Sequence, residues 1–220
     1  IVKYLYHANK LLLGNGEHQV LPQRVRNRSR DTAGVWSKTG PHLSLFSSEE
    51  DLGRKYMESI GYTKEEKHVC LIVRDKAYLE HSQPLRVDSY QDYRNSEIGT
   101  FREAAEALAE KGYWVFRMGK IVEKPFVVSH PRVIDYASSD WRTDFLDVWL
   151  MANCHFCITT SLGLDMVADV YRKPICMVNL TPIFHLKSWT KSLTVPKHLY
   201  WKQPRKTHLT MAQYFSLYSN

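Results

Sequence analysis

The sequence predicts a doubly wound parallel α/β sheet. Short apolar runs without polar alternation recur along the chain, which is typical of parallel strands that are buried on both faces. These runs alternate with segments of helical spacing, and charged or hydroxyl residues follow several of them. Strands that alternate with helices form a parallel sheet whose carboxyl ends share one edge, and ligands of such sheets bind there.

Five strands are predicted, at residues 68–73, 113–116, 133–134, 155–160 and 175–178. Helices are predicted at residues 1–13, 48–60 and 96–111, from 143 or 144 to 150, and after a turn at 159–165. Acidic first turns and closing glycines mark several helix ends. Ser96 and Glu97 are expected to cap the helix at 96–111, and Gly112 to end it. We therefore expect a Rossmann-like domain over residues 67–220, preceded by a remnant of an N-terminal domain and a linker helix over residues 1–66.

The composition is that of a globular chain with one good core, since 44% of the 220 residues are hydrophobic and 24% are charged. A net charge of +7 favours anionic partners, such as nucleic acid, acidic lipid surfaces, and phosphorylated or acidic sugars. No apolar run reaches the roughly 18 residues of a membrane span, and no signal peptide is visible, so a cytoplasmic location is expected. Because the chain begins at Ile1, we expect it to be part of a longer protein.

The four cysteines fall in or beside predicted strands, where cysteine usually acts as a small apolar residue. Cys154 and Cys157 have zinc-like spacing, but no second pair lies at the distance of a zinc ribbon. No Asp-X-Asp triplet occurs in the chain either. The sequence therefore predicts neither a metal site nor a cofactor.

A basic stretch over residues 24–30 carries four arginines, Arg24, Arg26, Arg28 and Arg30. It is either a solvated loop or a basic lip that faces an anionic substrate or a membrane surface. RNA-binding segments would interleave aromatic residues with the arginines, and these are absent. No nucleic-acid partner is expected, because that reading rests on charge alone.

Polar residues accumulate at the predicted strand ends. Arg74 and Asp75 follow the first strand, Arg117 and Lys120 the second, and Asp135 the third. The fourth strand ends in a turn that contains Thr160, Ser161, Gly163 and Asp165. A turn that leaves a strand and opens a helix presents free backbone N–H groups to an anion, although hydroxyls and glycine also occur in ordinary connections of this kind.

Several segments, among them YRNSEI at residues 93–98 and RMG at 117–119, resemble a bacterial family of surface-polysaccharide glycosyltransferases, in its C-terminal half. The likeness covers about residues 20–200. It implies a GT-B-like fold whose C-terminal domain holds a nucleotide-sugar donor, and transfer to a surface polysaccharide or lipid-linked glycan without a metal ion. It leaves the catalytic base unassigned, because the acceptor domain is largely missing.

The resemblance also implies roles for single residues. Arg74 and Asp75 would contact the diphosphate or sugar, and Arg94 and Asn95 would shape the same pocket. Arg117 would neutralise phosphate, with Lys120 nearby. The remaining candidates divide between the nucleoside, near Asp135 and Tyr136, and the diphosphate, near Thr160, Ser161, Gly163 and Asp165. Peripheral contact with the inner face of a membrane is a further expectation, and it rests on the basic residues 24–30. A non-catalytic nucleotide-sugar or glycan-binding module is the alternative.

Overall fold

The computed structural model describes residues 7–8, 11, 31, 34–83, 89–187, 189–201 and 207–218. Most of the helix predicted at residues 1–13 and all of the basic stretch at 24–30 lie outside the described residues. The described residues form six strands: β1 Lys67–Ile72, β2 Tyr113–Met118, β3 Val133–Ile134, β4 Phe156–Thr159, β5 Ile175–Leu180 and β6 Ser192–Pro196. The helices are α1 Val35–Lys38, α2 Ser47–Ser59, α3 Ala77–Ser82, α4 Arg102–Glu110, α5 Asp144–Asn153, α6 Asp165–Val170 and α7 Met211–Tyr218.

The strands form one parallel sheet in the order β3-β2-β1-β4-β5-β6. The predicted doubly wound sheet is confirmed, and all five predicted strands are present. The sixth strand was not predicted, because β6 is an edge strand in which exposed Leu193 and Val195 alternate with half-buried residues, unlike the continuous apolar runs. Successive strands are added on one side of β1 up to β3 and on its other side from β4 onward, so the topological switch point of the sheet lies between β1 and β4.

One face of the sheet is covered by α2, α5 and α6, and the main core lies there. Helix α5 begins at Asp144 because the Thr143 hydroxyl caps it, accepting a hydrogen bond from Leu146 N at 3.1 Å. Met57 of α2 is buried in the same core. The helix that the sequence assigned to the linker therefore packs directly on the sheet domain, and the proposed boundary at residue 66 stays a prediction.

The opposite face is covered by α4 over β1 to β3. This helix begins later than predicted, since residues 98–101 form a 3₁₀ turn and the α-helix runs only from Arg102 to Glu110. Neither Ser96 nor Glu97 caps it: no side-chain cap bond is made at Glu97, and the Ser96 hydroxyl instead accepts a hydrogen bond from Asn179. Gly112 ends the segment as predicted, with φ of 91°, which a residue with a side chain adopts only under strain.

Within the described ranges, no helix has both the length and the apolar character needed to cross a membrane.

Candidate functional site at the carboxyl edge of the sheet

The switch point brings together residues that are far apart in the sequence. Arg74 follows β1, and Thr160 and Ser161 follow β4, its neighbour in the sheet. The Arg74 backbone N–H donates a hydrogen bond of 2.8 Å to the Thr160 hydroxyl, which ties the two strand ends together. Three of the predicted site residues therefore meet where ligands of open α/β sheets bind.

A second arginine joins them from the 3₁₀ helix Ser89–Arg94. Arg94 Nη2 donates to the Ser161 carbonyl oxygen at 3.1 Å, and Arg94 Nη1 donates to the Gln91 side-chain oxygen at 3.2 Å. Arg74 Nη2 reaches that same oxygen at 3.5 Å, while Arg74 Nε donates to Asn95 Oδ1 at 3.0 Å. One amide oxygen thus bridges two guanidinium groups, and Asn95 fixes the orientation of the first.

The two arginines form a positive site in partly desolvated surroundings. Burial, and next the charge of Arg94, lower the pKa of Arg74, although as a guanidinium it stays charged. Arg94 Nε is buried and has no hydrogen-bond partner among the described residues. Since most buried polar groups are paired, Arg94 Nε is an unused hydrogen-bond donor beside a second positive charge.

The turn after β4 is shaped for close approach. Ser161 has φ of 67°, an uncommon conformation for a residue with a side chain, and such strain is frequent at functional sites. A Cβ atom added at Gly163 would meet no atom within 4 Å, so the surface beside this glycine is open.

The backbone N–H groups of this turn are used by the protein itself. Thr160 N–H donates to the Ile72 carbonyl at 3.1 Å, and Ser161 N–H donates to the Thr159 hydroxyl at 3.1 Å. Leu162 N–H donates to Asp165 Oδ2 at 2.9 Å. The predicted cradle of N–H groups is therefore not free at residues 160–162. The positive charge at this site comes from side chains instead.

Asp165 is a support of the turn in this conformation. Its carboxylate is buried and accepts hydrogen bonds from Leu162 N, the Thr159 hydroxyl and Lys187 Nζ, each at 2.9 Å. Lys187 also pairs with Asp169 Oδ2 at 2.6 Å. Burial alone would lower the pKa of Lys187, but the two carboxylates more than offset it and raise that pKa above its usual value. Asp165 is thus held facing the protein interior.

Arg117 belongs to an internal ion cluster. Its side chain is 1% exposed, and its guanidinium donates to Asp135 Oδ1 at 2.9 Å and to the Lys124 carbonyl oxygen at 3.2 Å. Asp75 Oδ2 lies 4.0 Å away. Both carboxylates also hold the loop after β2, since Asp75 accepts from Glu123 N and Asp135 from Phe126 N. The sequence predicted that Arg117, Asp75 and Asp135 contact the donor. In the structure their charged groups interact with one another and with the loop after β2.

Two other predicted residues lie by the start of α5. Lys120 is exposed and pairs with Asp144 at 3.0 Å. Tyr136 is fully buried, and its hydroxyl donates to the Thr143 carbonyl at 3.1 Å, while burial raises its pKa. No contact joins either residue to Arg74 or Arg94 among the described contacts.

Lys197 and Gln91 complete the site and were not predicted. Lys197 follows β6 and donates to the Tyr93 and Asn95 carbonyl oxygens at 2.9 and 2.7 Å, and burial lowers its pKa. It fastens the segment that carries Arg94. The signal that could have found it was the position of a lysine at a strand end, but β6 itself was not recognised. Gln91 carried no signal, because an amide in a polar loop is common.

No cluster of three or more His, Cys, Asp or Glu side chains suited to a metal ion occurs in the part of the chain that the structure describes. All four cysteines are free thiols.

Two solved structures are similar to the chain. One is a glycosyl transferase family 9 protein from Veillonella parvula DSM 2008, with 13% sequence identity and a TM-score of 0.47 over 71% of this chain and 42% of that one. The other is the ADP-heptose LPS heptosyltransferase II of E. coli, with 13% identity and a TM-score of 0.44 over 80% of this chain and 49% of that one. The chain spans less than half the length of either. No protein-family model and no curated protein sequence matches it.

Proposed function

We propose that the chain is the donor-binding part of a glycosyltransferase, which moves a sugar from a nucleotide-sugar to a glycan. The observation that carries this proposal is the pair of arginines at the switch point between β1 and β4, bridged by Gln91. Guanidinium groups complement the oxygens of a diphosphate in both charge and geometry. The resemblance of the sequence to surface-polysaccharide glycosyltransferases supports the same proposal.

In this reaction the bond between the sugar's anomeric carbon and the diphosphate oxygen breaks. A hydroxyl oxygen of the acceptor forms the new bond to that carbon and passes its proton to a general base. The nucleoside diphosphate leaves with added negative charge, so Arg74 and Arg94 would stabilise the transition state more than the bound donor. We propose that these two charges suffice without a metal ion.

The acceptor that we propose is a surface polysaccharide or a lipid-linked glycan. The reaction would then take place on the cytoplasmic side, at the inner face of the membrane. Contact with that surface would come from residues 24–30, because clustered arginines are attracted to anionic lipids.

A non-catalytic nucleotide-sugar-binding module is the second candidate. Among the described carboxyl groups, those of Asp147 and Asp169 have a raised pKa, and burial is the main cause in both. Their positions favour this second candidate. Both are ion-paired within the protein, to Arg142 and Lys187, and neither contacts Arg74 or Arg94. A base tuned for proton transfer is therefore not evident beside the arginine pair among the described residues.

The test measures binding first and turnover second. Calorimetric titration with UDP, GDP and ADP should detect binding of at least one of them, and Arg94→Met should weaken it by about 1.5–3 kcal/mol, the range for a hydrogen bond to a charged group. Arg54→Met is the matched control, because Arg54 is an exposed arginine of α2 that pairs with Asp51 in the same helix.

Absence of binding for all three nucleotides, or equal losses in both variants, would contradict the proposed site. The matching nucleotide-sugar, incubated with EDTA and with lipid-linked or soluble glycan, then separates the two candidates. Transfer or donor hydrolysis in EDTA supports the metal-independent transferase. Binding without either reaction supports the module.

A further inference from the structure

A pocket lies at the amino edge of the sheet, opposite the arginine pair, where the strands begin. Its volume is 360 Å³, within the range of about 300–1,000 Å³ that is usual for ligand pockets. Two of its lining residues precede strands: Lys173 lies two residues before β5, and Lys191 lies immediately before β6. The pocket is therefore at the amino ends of these strands. A six-residue strand is about 20 Å long, so the arginine pair lies far from this pocket. We call it the amino-edge pocket.

Two tryptophans line it, Trp36 and Trp189. Trp36 is held in place on two sides. The Arg172 guanidinium carbon lies 3.6 Å from the centroid of its ring, and the Trp36 backbone N–H donates to Asp31 Oδ2 at 2.6 Å. Arg172 is itself fixed, since it donates to the Thr39 and Gly40 carbonyl oxygens. At least one aromatic surface of the pocket is therefore preorganised.

Positive charge surrounds these rings. Arg172, Lys173 and Lys191 all line the pocket, and Asp169 is the acidic residue among the lining side chains. One oxygen of Asp169 is already paired with Lys187, so little of its negative charge is left to balance the three cations. The pocket favours a ligand that carries negative charge.

Two of the lining residues carry a buried oxygen without a hydrogen-bond partner among the described residues. Asp169 is 1% exposed, and its Oδ1 atom has no hydrogen-bond partner among the described residues. The Thr190 hydroxyl is also buried and has no hydrogen-bond partner among the described residues. Unpaired buried acceptors are rare in proteins, and a carboxylate oxygen accepts strongly from hydroxyl groups. They indicate a ligand that brings hydroxyl donors.

We propose that the amino-edge pocket binds an anionic saccharide, a sugar unit that carries a carboxylate or phosphate. The apolar face of a sugar ring lies against an indole, its hydroxyls donate to Asp169 Oδ1, and its acidic group meets Lys173 and Lys191. This site is separate from the donor site, and its ligand class does not depend on the proposed transferase activity. On a transferase it would hold an acidic glycan away from the place of reaction.

The probes are tri-galacturonate, which is acidic, and the neutral galactose trisaccharide. Binding is followed by tryptophan fluorescence, because two indoles line the pocket, and by calorimetry. We expect saturable binding of tri-galacturonate and clearly weaker binding of the neutral sugar. Lys191→Gln should weaken tri-galacturonate binding about tenfold or more, as expected for the loss of a charge-assisted contact. Lys191 is exposed, so this variant should fold normally.

Two controls locate the effect. Lys64→Gln removes a lysine that is also exposed but does not line the pocket, and this variant should leave the affinity unchanged. Arg94→Met, which alters the donor site, should leave it unchanged as well. A loss in Lys64→Gln equal to that in Lys191→Gln would show non-specific attraction and overturn the proposal.

Equal affinity for the acidic and the neutral trisaccharide would remove the requirement for negative charge. Absence of binding of either sugar at millimolar concentration would mean that water alone meets the unpaired oxygens. If UDP displaces tri-galacturonate, and Lys191→Gln weakens the binding of UDP, the pocket is a nucleotide site instead. Each of these three results overturns the proposal.

Discussion

Replacing Arg117 with methionine is expected to destabilise the protein rather than to remove a ligand contact. The side chain is 1% exposed and pairs with Asp135 at 2.9 Å. Methionine keeps the apolar stem but leaves the Asp135 carboxylate and the Lys124 carbonyl oxygen without this partner. Removal of one member of a buried ion pair typically costs about 3–5 kcal/mol. Because Asp135 still accepts from Phe126 N, we expect about 3 kcal/mol.

Urea unfolding followed by tryptophan fluorescence measures this loss. With a slope of about 2 kcal/mol per molar urea, the unfolding midpoint should fall by about 1.5 M. Arg94→Met is the comparison, and since Arg94 is half-buried and carries an unpaired Nε, its midpoint should shift by less than about 0.5 M. The double variant Arg117→Met, Asp135→Leu removes both charges and should recover part of the loss, because a buried pair replaced by apolar residues is often neutral, but the Phe126 N–H loses its acceptor.

An unchanged urea midpoint in Arg117→Met, together with weaker nucleotide binding, would refute this reasoning. Arg117 would then face a ligand, as the sequence resemblance implied, and the ion cluster with Asp135 would not be its resting state. A double variant that is less stable than the sum of the single losses would likewise contradict the pairing of these two residues.

Three further predictions concern packing, acid stability and the turn after β4. Gly53→Ala should cost about 1–3 kcal/mol, because the new Cβ would lie 2.2 Å from the Trp149 ring, while Gly99→Ala, with open space, should be neutral in the same urea assay. Burial lowers the pKa of His68 to about 4 from 6.5, so stability should fall by about 3 kcal/mol as the pH drops from 6.5 through 4, and His68→Gln should flatten this pH dependence. Gly163→Val should leave the melting temperature unchanged and abolish nucleotide binding if the diphosphate lies against this turn; normal binding would exclude that placement.

Much of the sheet could be predicted because its strands are local patterns. Continuous apolar runs marked five strands within a few residues of their observed ends, and Gly112 and Thr143 marked a helix end and a helix start. The edge strand β6 escaped because a strand with one exposed face has no such run. Placing Arg74, Thr160 and Ser161 at one edge also followed from the sequence, because parallel strands share their carboxyl ends.

Which charged side chains pair inside the protein was decided only in the tertiary structure. Arg74 and Arg117 were both predicted to follow a strand, and nothing local distinguishes them in the sequence. In the structure Arg74 follows β1, but Arg117 lies inside β2. Arg117 lies within reach of two carboxylates from other segments and pairs inward, whereas Arg74 is set beside Arg94 by a hydrogen bond to Thr160, 86 residues away. The orientation of a charged side chain depends on its neighbours in space. These neighbours come from segments far apart in the sequence, and no periodic pattern in the sequence indicates which segments will meet.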